Sequence, residues 1–396
     1  MNRREFIKIC GLLGITLPLA GVVTACDEVE LLVSDEGNDV ANNIDNIIII
    51  GAGAAGLSAG YLLQQQGIAF QILEASSSYG GRMKRTTEFA NFPIPLGAEW
   101  IHVPPDILEE IVNDDSVDVN IETTMYDPEV DEVLYEGEWF TIEDADFTED
   151  SKFINATWFD FFEQYIVPSV ASQITYNAVV EAIDYSTEII QVKTGGETYS
   201  ATQVIVTAPV KILQNGAITF TPKLPNDKQD AIDSARVWDG CKAFIEFSEK
   251  FYPALTGFEI TPETAGDKLY YDASYGQDTS QHILGLFAVG TAARPYIELS
   301  DDELIEYILY ELDELSDGQA SPNYVKHIFQ NWNEEPYANG AYVMDDEDWR
   351  VIIRLGESVD NRLFFAGDAY TEGSDWSSVH TAARSAGRAV EEILNS

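Results

Sequence analysis

Four consecutive isoleucines, Ile47 to Ile50, run directly into Gly51-Ala52-Gly53-Ala54-Ala55-Gly56 and constrain the fold more than any other stretch of this chain. An apolar run of that kind reads as a strand buried on both faces, and Leu57 to Gln66, closed by Gly67, reads as the helix leaving the turn. Strand, Gly-x-Gly-x-x-Gly turn and helix predict a Rossmann-like unit on a parallel sheet. Gly51 permits the tight turn. Gly53, followed by Ala54 and Ala55, lets the backbone approach a pyrophosphate on the helix N-terminus, and Gly56 allows helix and strand to pack closely. Ala69 to Leu73 is the second strand, ending at Glu74 and Ala75, where the acid can accept hydrogen bonds from a ribose diol. An acid there disfavours a phosphorylated ribose, so NAD or FAD is expected rather than NADP.

Gly80-Gly81-Arg82 separates those two. A second glycine pair with an arginine after the ribose-binding acid resembles flavoproteins of the glutathione-reductase-like superfamily, in which it helps to hold the FAD pyrophosphate. FAD is therefore expected in place of a diffusing nicotinamide.

The chain's 396 residues suffice for two domains, and a hydrophobic content of 45% with 11% aromatics marks a sequence that packs a core. Its net charge is −46, and from Thr86 to Ser151 there is no Lys or Arg. A surface of that sign excludes nucleic acid as a partner. It serves either to solvate the whole molecule or to attract cationic substrates.

The N-terminus is a separate object. Asn2-Arg3-Arg4-Glu5-Phe6-Ile7-Lys8 precedes an apolar run from Ile9 to Val23, which is short and glycine-containing for a membrane span, and Val23-Thr24-Ala25-Cys26 closes it. This predicts an export signal. The paired arginines resemble Tat signals and the segment ending at Cys26 resembles a bacterial lipobox, so Cys26 would become a lipidated first residue and the membrane contact. A non-covalent FAD acquired in the cytoplasm would stay bound only on a route that carries folded proteins. After processing, Cys26 and Cys241 would be the cysteines left, too few for a disulfide framework or thiolate cluster. His102, His282, His327 and His380 fit no metal-ligand spacing, and no metal site is expected.

Further along, Trp158 to Ile166 reads as an amphipathic helix, Tyr176 to Lys193 as two strands around Ser186-Thr187, and Tyr199 to Thr207 as the next, forming a β-meander. Cys241 to Phe247 alternates like a half-buried strand, and Asp301 to Leu315 reads as an acidic amphipathic helix. Leu363 to Asp368 is a buried strand ending in Gly367 and an acid. Ser377 to Leu394 is a helix with Val379, Ala382, Ala386, Val390 and Ile393 as its apolar stripe and Trp376-Ser377-Ser378 as its cap. Its N-terminus would face negative charge on a reduced flavin.

The fold class expected is α/β: a Rossmann-like, glutathione-reductase-like FAD-binding domain with parallel sheet plus β-meander, interleaved with an α+β substrate domain. Residues 1–26 would form the signal and 27–44 an acidic tether. Residues 45–95, 175–222 and 350–396 would form the FAD-binding domain, and 96–174 and 223–349 the substrate domain.

These residues resemble the FAD-dependent amine oxidases, which include monoamine, polyamine and L-amino-acid oxidases. The likeness runs from Asn46 onward and is weakest between Pro104 and Ser172. Its anchors are the Gly51 fingerprint with Glu74 and Arg82, Gly97-Ala98-Glu99-Trp100-Ile101-His102, Val204 to Pro209, Asn331-Trp332 with Asn339 to Tyr342, and Phe365 to Asp368 with Trp376 to Gly387. The resemblance implies that Gly97 to Trp100 border the FAD, that the Val180 backbone contacts the adenine, and that Asp368 stands where the family usually has Glu. It also implies that Val379, entered through Trp376 and Ser378, turns its N–H to the flavin pyrimidine. Lys242 would hold a water at flavin N5, with Trp332 and Tyr342 as aromatics on the substrate side. His102 would bond a distal substrate nitrogen or only satisfy its loop. Where monoamine oxidases carry the flavin-linking cysteine this chain has Ala341, which implies non-covalent FAD, and Val379-His380 and Trp100-Ile101-His102 look more like polyamine oxidases.

The activity implied is oxidation of an amine or amino acid: hydride transfer to flavin N5, imine hydrolysis, and reduction of O2 to H2O2. A desaturase or protoporphyrinogen-oxidase-like enzyme, or a lipoprotein holding FAD without catalysis, would share the FAD anchors. The identity of the amine and the oligomeric state stay open.

Overall fold

The computed structural model describes residues 46–127, 133–135, 138–140, 150–258, 266–344 and 347–396. The paired arginines, Cys26 and the acidic tether lie outside the described residues.

Ile47–Ile50 is a fully buried central strand. It pairs in parallel with Phe70–Leu73 on one side and Gln203–Val206 on the other. Leu363–Phe365 and Ile174–Thr175 complete a five-stranded sheet as its two edges. Because the chain leaves the central strand in one direction and returns on its other side, a crevice opens at the strands' C-terminal ends. The first helix begins at Ala54, three residues before the expected start, with Gly53 as its N-cap. Gly67, at φ 70°, ends it in the left-handed conformation that glycine tolerates.

The expected strand Tyr199 to Thr207 is two strands. Thr198–Ala201 runs antiparallel to Ile190–Thr194, while Gln203–Val206 joins the parallel sheet. Thr202 marks the crossing, its N–H and hydroxyl both donating to the Asn46 carbonyl. The meander therefore holds Thr198–Ala201, Ile190–Thr194 and Val180–Asp184, with Thr219–Thr221 added parallel to the last.

A seven-stranded sheet carries the second half of the molecule. Gly240–Phe247 lies inside it, antiparallel to both His282–Val289 and Tyr324–Asn331. The expected half-burial gives way to burial at every position except Glu246. Cys241, Ala243, Ile245 and Phe247 pack on Leu304, Ile308 and Leu312 of the helix Asp301–Leu315, while Phe244 on the other face packs with Leu269 and Tyr271. Glu303 and Ser300 form a capping box that starts that helix.

The last helix, Val379–Leu394, buries the predicted stripe of Val379, Ala382, Ala386, Val390 and Ile393. Its small residues let it pack against the first helix within one core. That core also holds Ile107, Leu108, Trp158, Phe161 and Phe162. The segment 96–174, assigned from the sequence to the substrate domain, thus shares the core of the parallel-sheet half through its helices Ile107–Val112 and Trp158–Tyr165.

Candidate active site

The crevice beside Ile50 opens into a cavity of about 760 Å3, within the range of roughly 300–1,000 Å3 usual for cofactor and ligand sites. The glycines of the fingerprint divide the work as their spacing implied. A Cβ on Gly56 would lie 1.9 Å from the Gly51 carbonyl oxygen, so helix and turn meet with no room for a side chain. A Cβ on Gly53 would meet nothing within 4 Å. That open space lies at a helix N-terminus with no side-chain cap, and Gly53, Ala54 and Ala55 line the cavity. Backbone N–H groups without intrahelical partners face a void there, which fits a pyrophosphate.

Glu74 is held rigidly at the edge of this void. One carboxylate oxygen accepts from Ala52 N–H at 2.6 Å and the other from the N–H and hydroxyl of Ser76 at 2.8 and 2.7 Å. These bonds use three of about four acceptor positions, leaving one for a ribose hydroxyl.

Arg82 follows Gly80 and Gly81, both at positive φ, and reaches across the cavity. It donates to both oxygens of Asp368, at 2.5 and 3.0 Å, and to the Ala341 carbonyl at 2.5 Å. Asp368 follows Gly367, and the next helix presents Ser378 and Val379 to the same cavity. Ser378 caps it through a reciprocal box with Thr381, whereas Ser377, expected to be helical, sits outside at φ 70°. Two helix N-termini and one bidentate ion pair therefore converge from opposite ends of the chain.

The cavity is also lined by Trp100, His102, Cys241, Lys242, Leu269, Phe287, Trp332 and Tyr342. Lys242 is buried, and its ammonium donates to Glu99 Oε2 at 2.6 Å and to the carbonyls of Pro95 and Gly97 at 3.1 and 3.2 Å. Those bonds engage all three of its protons. Glu99 also meets Lys152 at 3.2 Å and accepts from the Tyr271 hydroxyl at 2.5 Å. Burial alone would raise the Glu99 carboxyl, but Lys242 and then Lys152 hold it below the usual range. Burial pushes Lys242 below the ordinary lysine range against the pull of Glu99, and Lys152 adds to the lowering. Trp332 fastens the same loop by donating to the Leu96 carbonyl at 3.1 Å, against the face of Gly97 where a Cβ would be 2.8 Å from its ring. Burial raises the Cys241 thiol, keeping it protonated.

Of the residues named from the sequence, Gly51, Gly53, Ala54, Ala55, Glu74, Ala75, Gly81, Arg82, Gly97, Ala98, Glu99, Trp100, His102, Val180, Lys242, Trp332, Tyr342, Gly367, Asp368, Ser378 and Val379 line this one cavity. Gly56 and Trp376 do not. Gly56 is a packing glycine, and the Trp376 indole donates to the Met344 carbonyl at 3.0 Å, stapling the approach to the last helix. Glu99 borders the cavity, yet its carboxylate turns to Lys242, Lys152 and Tyr271. Sequence reasoning missed Asp150, Lys152 and Tyr271. A signal existed for one of them: Lys152 is the first cation after the long acidic run that begins at Thr86.

The chain matches the family model described as flavin containing amine oxidoreductase over residues 160–394, and that of an NAD(P)-binding Rossmann-like domain over residues 49–114. It is 24% identical over 435 residues to polyamine oxidase 2 of Arabidopsis thaliana, covering 87% of this chain and 87% of that protein. It is 29% identical over 203 residues to lysine-specific histone demethylase 1B of Mus musculus, covering 50% of this chain and a quarter, 25%, of that protein. A solved structure of a putrescine oxidase redesigned in its cofactor binding shares the fold, with a TM-score of 0.72, 16% identity, and 89% of this chain and 99% of that chain covered. The chain belongs to the flavin containing amine oxidoreductase family.

Proposed function

We propose that this protein is an FAD-dependent oxidase of amines, nearer in kind to polyamine oxidases than to monoamine oxidases. The observation that carries the reading is one continuous cavity, lined both by the two helix N-termini and the Arg82–Asp368 pair and by Lys242, Trp332 and Tyr342. FAD held there would supply the hydride acceptor for the carbon next to the substrate nitrogen and the route for that electron pair to O2. Gly53 to Ala55 would hold its pyrophosphate, Glu74 its ribose, Val180 its adenine, and Arg82 with Asp368 the middle of the molecule. The N–H groups after Ser378 would stabilise negative charge on the ring. Trp332 and Tyr342 would orient the amine and exclude water. Ala341 in place of a cysteine, and a protonated Cys241, favour FAD held without a covalent bond.

Likeness to polyamine oxidase 2 and to a putrescine oxidase supports di- and polyamines as the first substrates to try. Purified protein with a flavin spectrum that bleaches anaerobically with an amine, recovers in air and releases H2O2 is the expected result. A spectrum unmoved by every amine and amino acid tried would overturn the reading.

We infer in addition, from Arg3-Arg4 and Val23 to Cys26, that the protein is exported folded and lipidated at Cys26. Expressed in a bacterium, the full chain should partition into detergent, and Cys26→Ser should move it to the aqueous phase.

A further inference from the structure

Residues 101 and 151 form an isolated antiparallel bridge, Ile101 N–H to the Ser151 carbonyl at 2.9 Å and Ser151 N–H to the Ile101 carbonyl at 3.0 Å. Antiparallel pairing sets 102 opposite 150 and 100 opposite 152. The short segment 150–152 thus delivers two buried charges to the cavity wall: Lys152 to Glu99, and Asp150 to His102. Asp150 is 3% exposed, and its Oδ1 lies 2.9 Å from His102 Nδ1. A carboxylate on Nδ1 fixes the tautomer with that nitrogen as donor and leaves Nε2 as the acceptor of a ring that lines the cavity.

We propose that the Asp150–His102 pair takes the proton from the incoming ammonium, with His102 Nε2 as the acceptor and Asp150 as its positioning residue. The proposal rests on the amine-oxidase reading. An alkylammonium has no lone pair on nitrogen to assist loss of hydride from the neighbouring carbon. Proton transfer breaks one N–H bond of the ammonium, forms Nε2–H, and leaves the pair on the substrate nitrogen. The imidazolium then gives its proton to water, and the histidine is restored.

The surroundings favour the charged imidazole. Burial works against it, but Asp150, and at longer reach Asp375, hold His102 above the ordinary imidazole range. Asp375 is itself paired with His380 Nε2 at 2.8 Å, and Glu110 beyond it with Arg384 at 2.7 Å. Of these groups, His102 is the one that lines the cavity.

The test uses holoenzyme labelled with 15N-histidine. Wild type should show a His102 titration above the ordinary value, and a kcat/KM profile with an acid limb set by His102 and an alkaline limb set by the substrate amine. In Asp150→Asn the His102 titration and the acid limb should both move to lower pH. The limiting rate of anaerobic flavin reduction should fall about 100-fold while the flavin spectrum is retained. Asp150→Glu should restore part of that rate. If no amine reduces the wild-type flavin, the amine-oxidase reading falls and the proton-acceptor role with it. If wild type is reduced but its kcat/KM climbs without an acid limb to the amine pKa, or Asp150→Asn leaves titration and limb unmoved, the pair alone is overturned.

Discussion

Glu99 and Lys242 meet at 2.6 Å in the cavity wall with their side chains only 5% and 6% exposed, and Lys152 joins them on the second carboxylate oxygen. One buried anion thus serves two buried cations. Lys242→Met or Lys152→Met leaves a neutral pair behind, whereas Glu99→Gln leaves two ammonium groups with no anion. Glu99→Gln should therefore be the most destabilising of the three, by about 3–5 kcal/mol. Chemical denaturation of all three variants checks the ranking. Because the Glu99 carboxyl is held low in the fold, its contribution is present above the ordinary carboxylate range and lost as pH falls through the lowered value.

For catalysis the weight shifts to Lys242. Its protons are directed at Glu99 and two carbonyls, so a water bound near the flavin must share a proton with the Pro95 or Gly97 carbonyl. Lys242→Met should bind FAD normally and slow flavin reduction or reoxidation by about tenfold or more. Stopped-flow rates equal to wild type would remove Lys242 from the chemistry.

Much of this site was legible because its parts are local. The isoleucine strand, its glycine turn and Glu74 fall within 28 residues and follow backbone mechanics that sequence encodes directly. The last helix announced itself by stripe and cap. Lys242 lines the cavity, but its burial on both sides was not legible, since Cys241 to Phe247 alternates as an edge or half-exposed strand would. Burial there comes from the helix Asp301–Leu315 covering one face and the loop 95–100 the other, a tertiary fact. Asp150 and Lys152 were hidden for a similar reason. Their meaning depends on the single bridge between Ile101 and Ser151, in the region where family resemblance is weakest.

Arg82 and Asp368 are 286 positions apart, yet form a bidentate pair. Arg82→Ala removes the pair and the bond to the Ala341 carbonyl, so the two ends of the cofactor cleft lose their common tie. FAD affinity should fall about 10- to 100-fold, as expected for one or two charge-assisted hydrogen bonds. Fluorescence titration of apoprotein with FAD measures it.

Asp267 lies away from the cavity, 1% exposed, with Oδ2 unbonded among the described residues. Burial pushes its carboxyl up from 3.8 to about 7. Between these values the fold retains a proton that the unfolded chain has released, so stability declines as pH rises and is level above the upper value. Asp267→Asn can keep the bond from the Lys268 N–H and removes that decline. The variant should gain roughly 3 to 4 kcal/mol over wild type at pH 8 and little at pH 4. Melting curves at the two pH values decide it.

Gly53 and Gly56 separate cofactor binding from folding within one turn. Both are small for different reasons, and alanine distinguishes them. Gly53 has an ordinary backbone, φ −79°, and open space at its Cβ position, so Gly53→Ala should leave the apoprotein's melting temperature unchanged. The methyl group would occupy the space proposed for the pyrophosphate, and FAD affinity should drop by at least about tenfold. Gly56→Ala drives a methyl group to 1.9 Å from the Gly51 carbonyl oxygen and 3.2 Å from the Thr207 hydroxyl oxygen, so the first helix must shift off the sheet. That variant should lose about 1–3 kcal/mol as apoprotein, before any cofactor is added. A Gly53→Ala protein that binds FAD as tightly as wild type would show that the pyrophosphate lies elsewhere in the cavity.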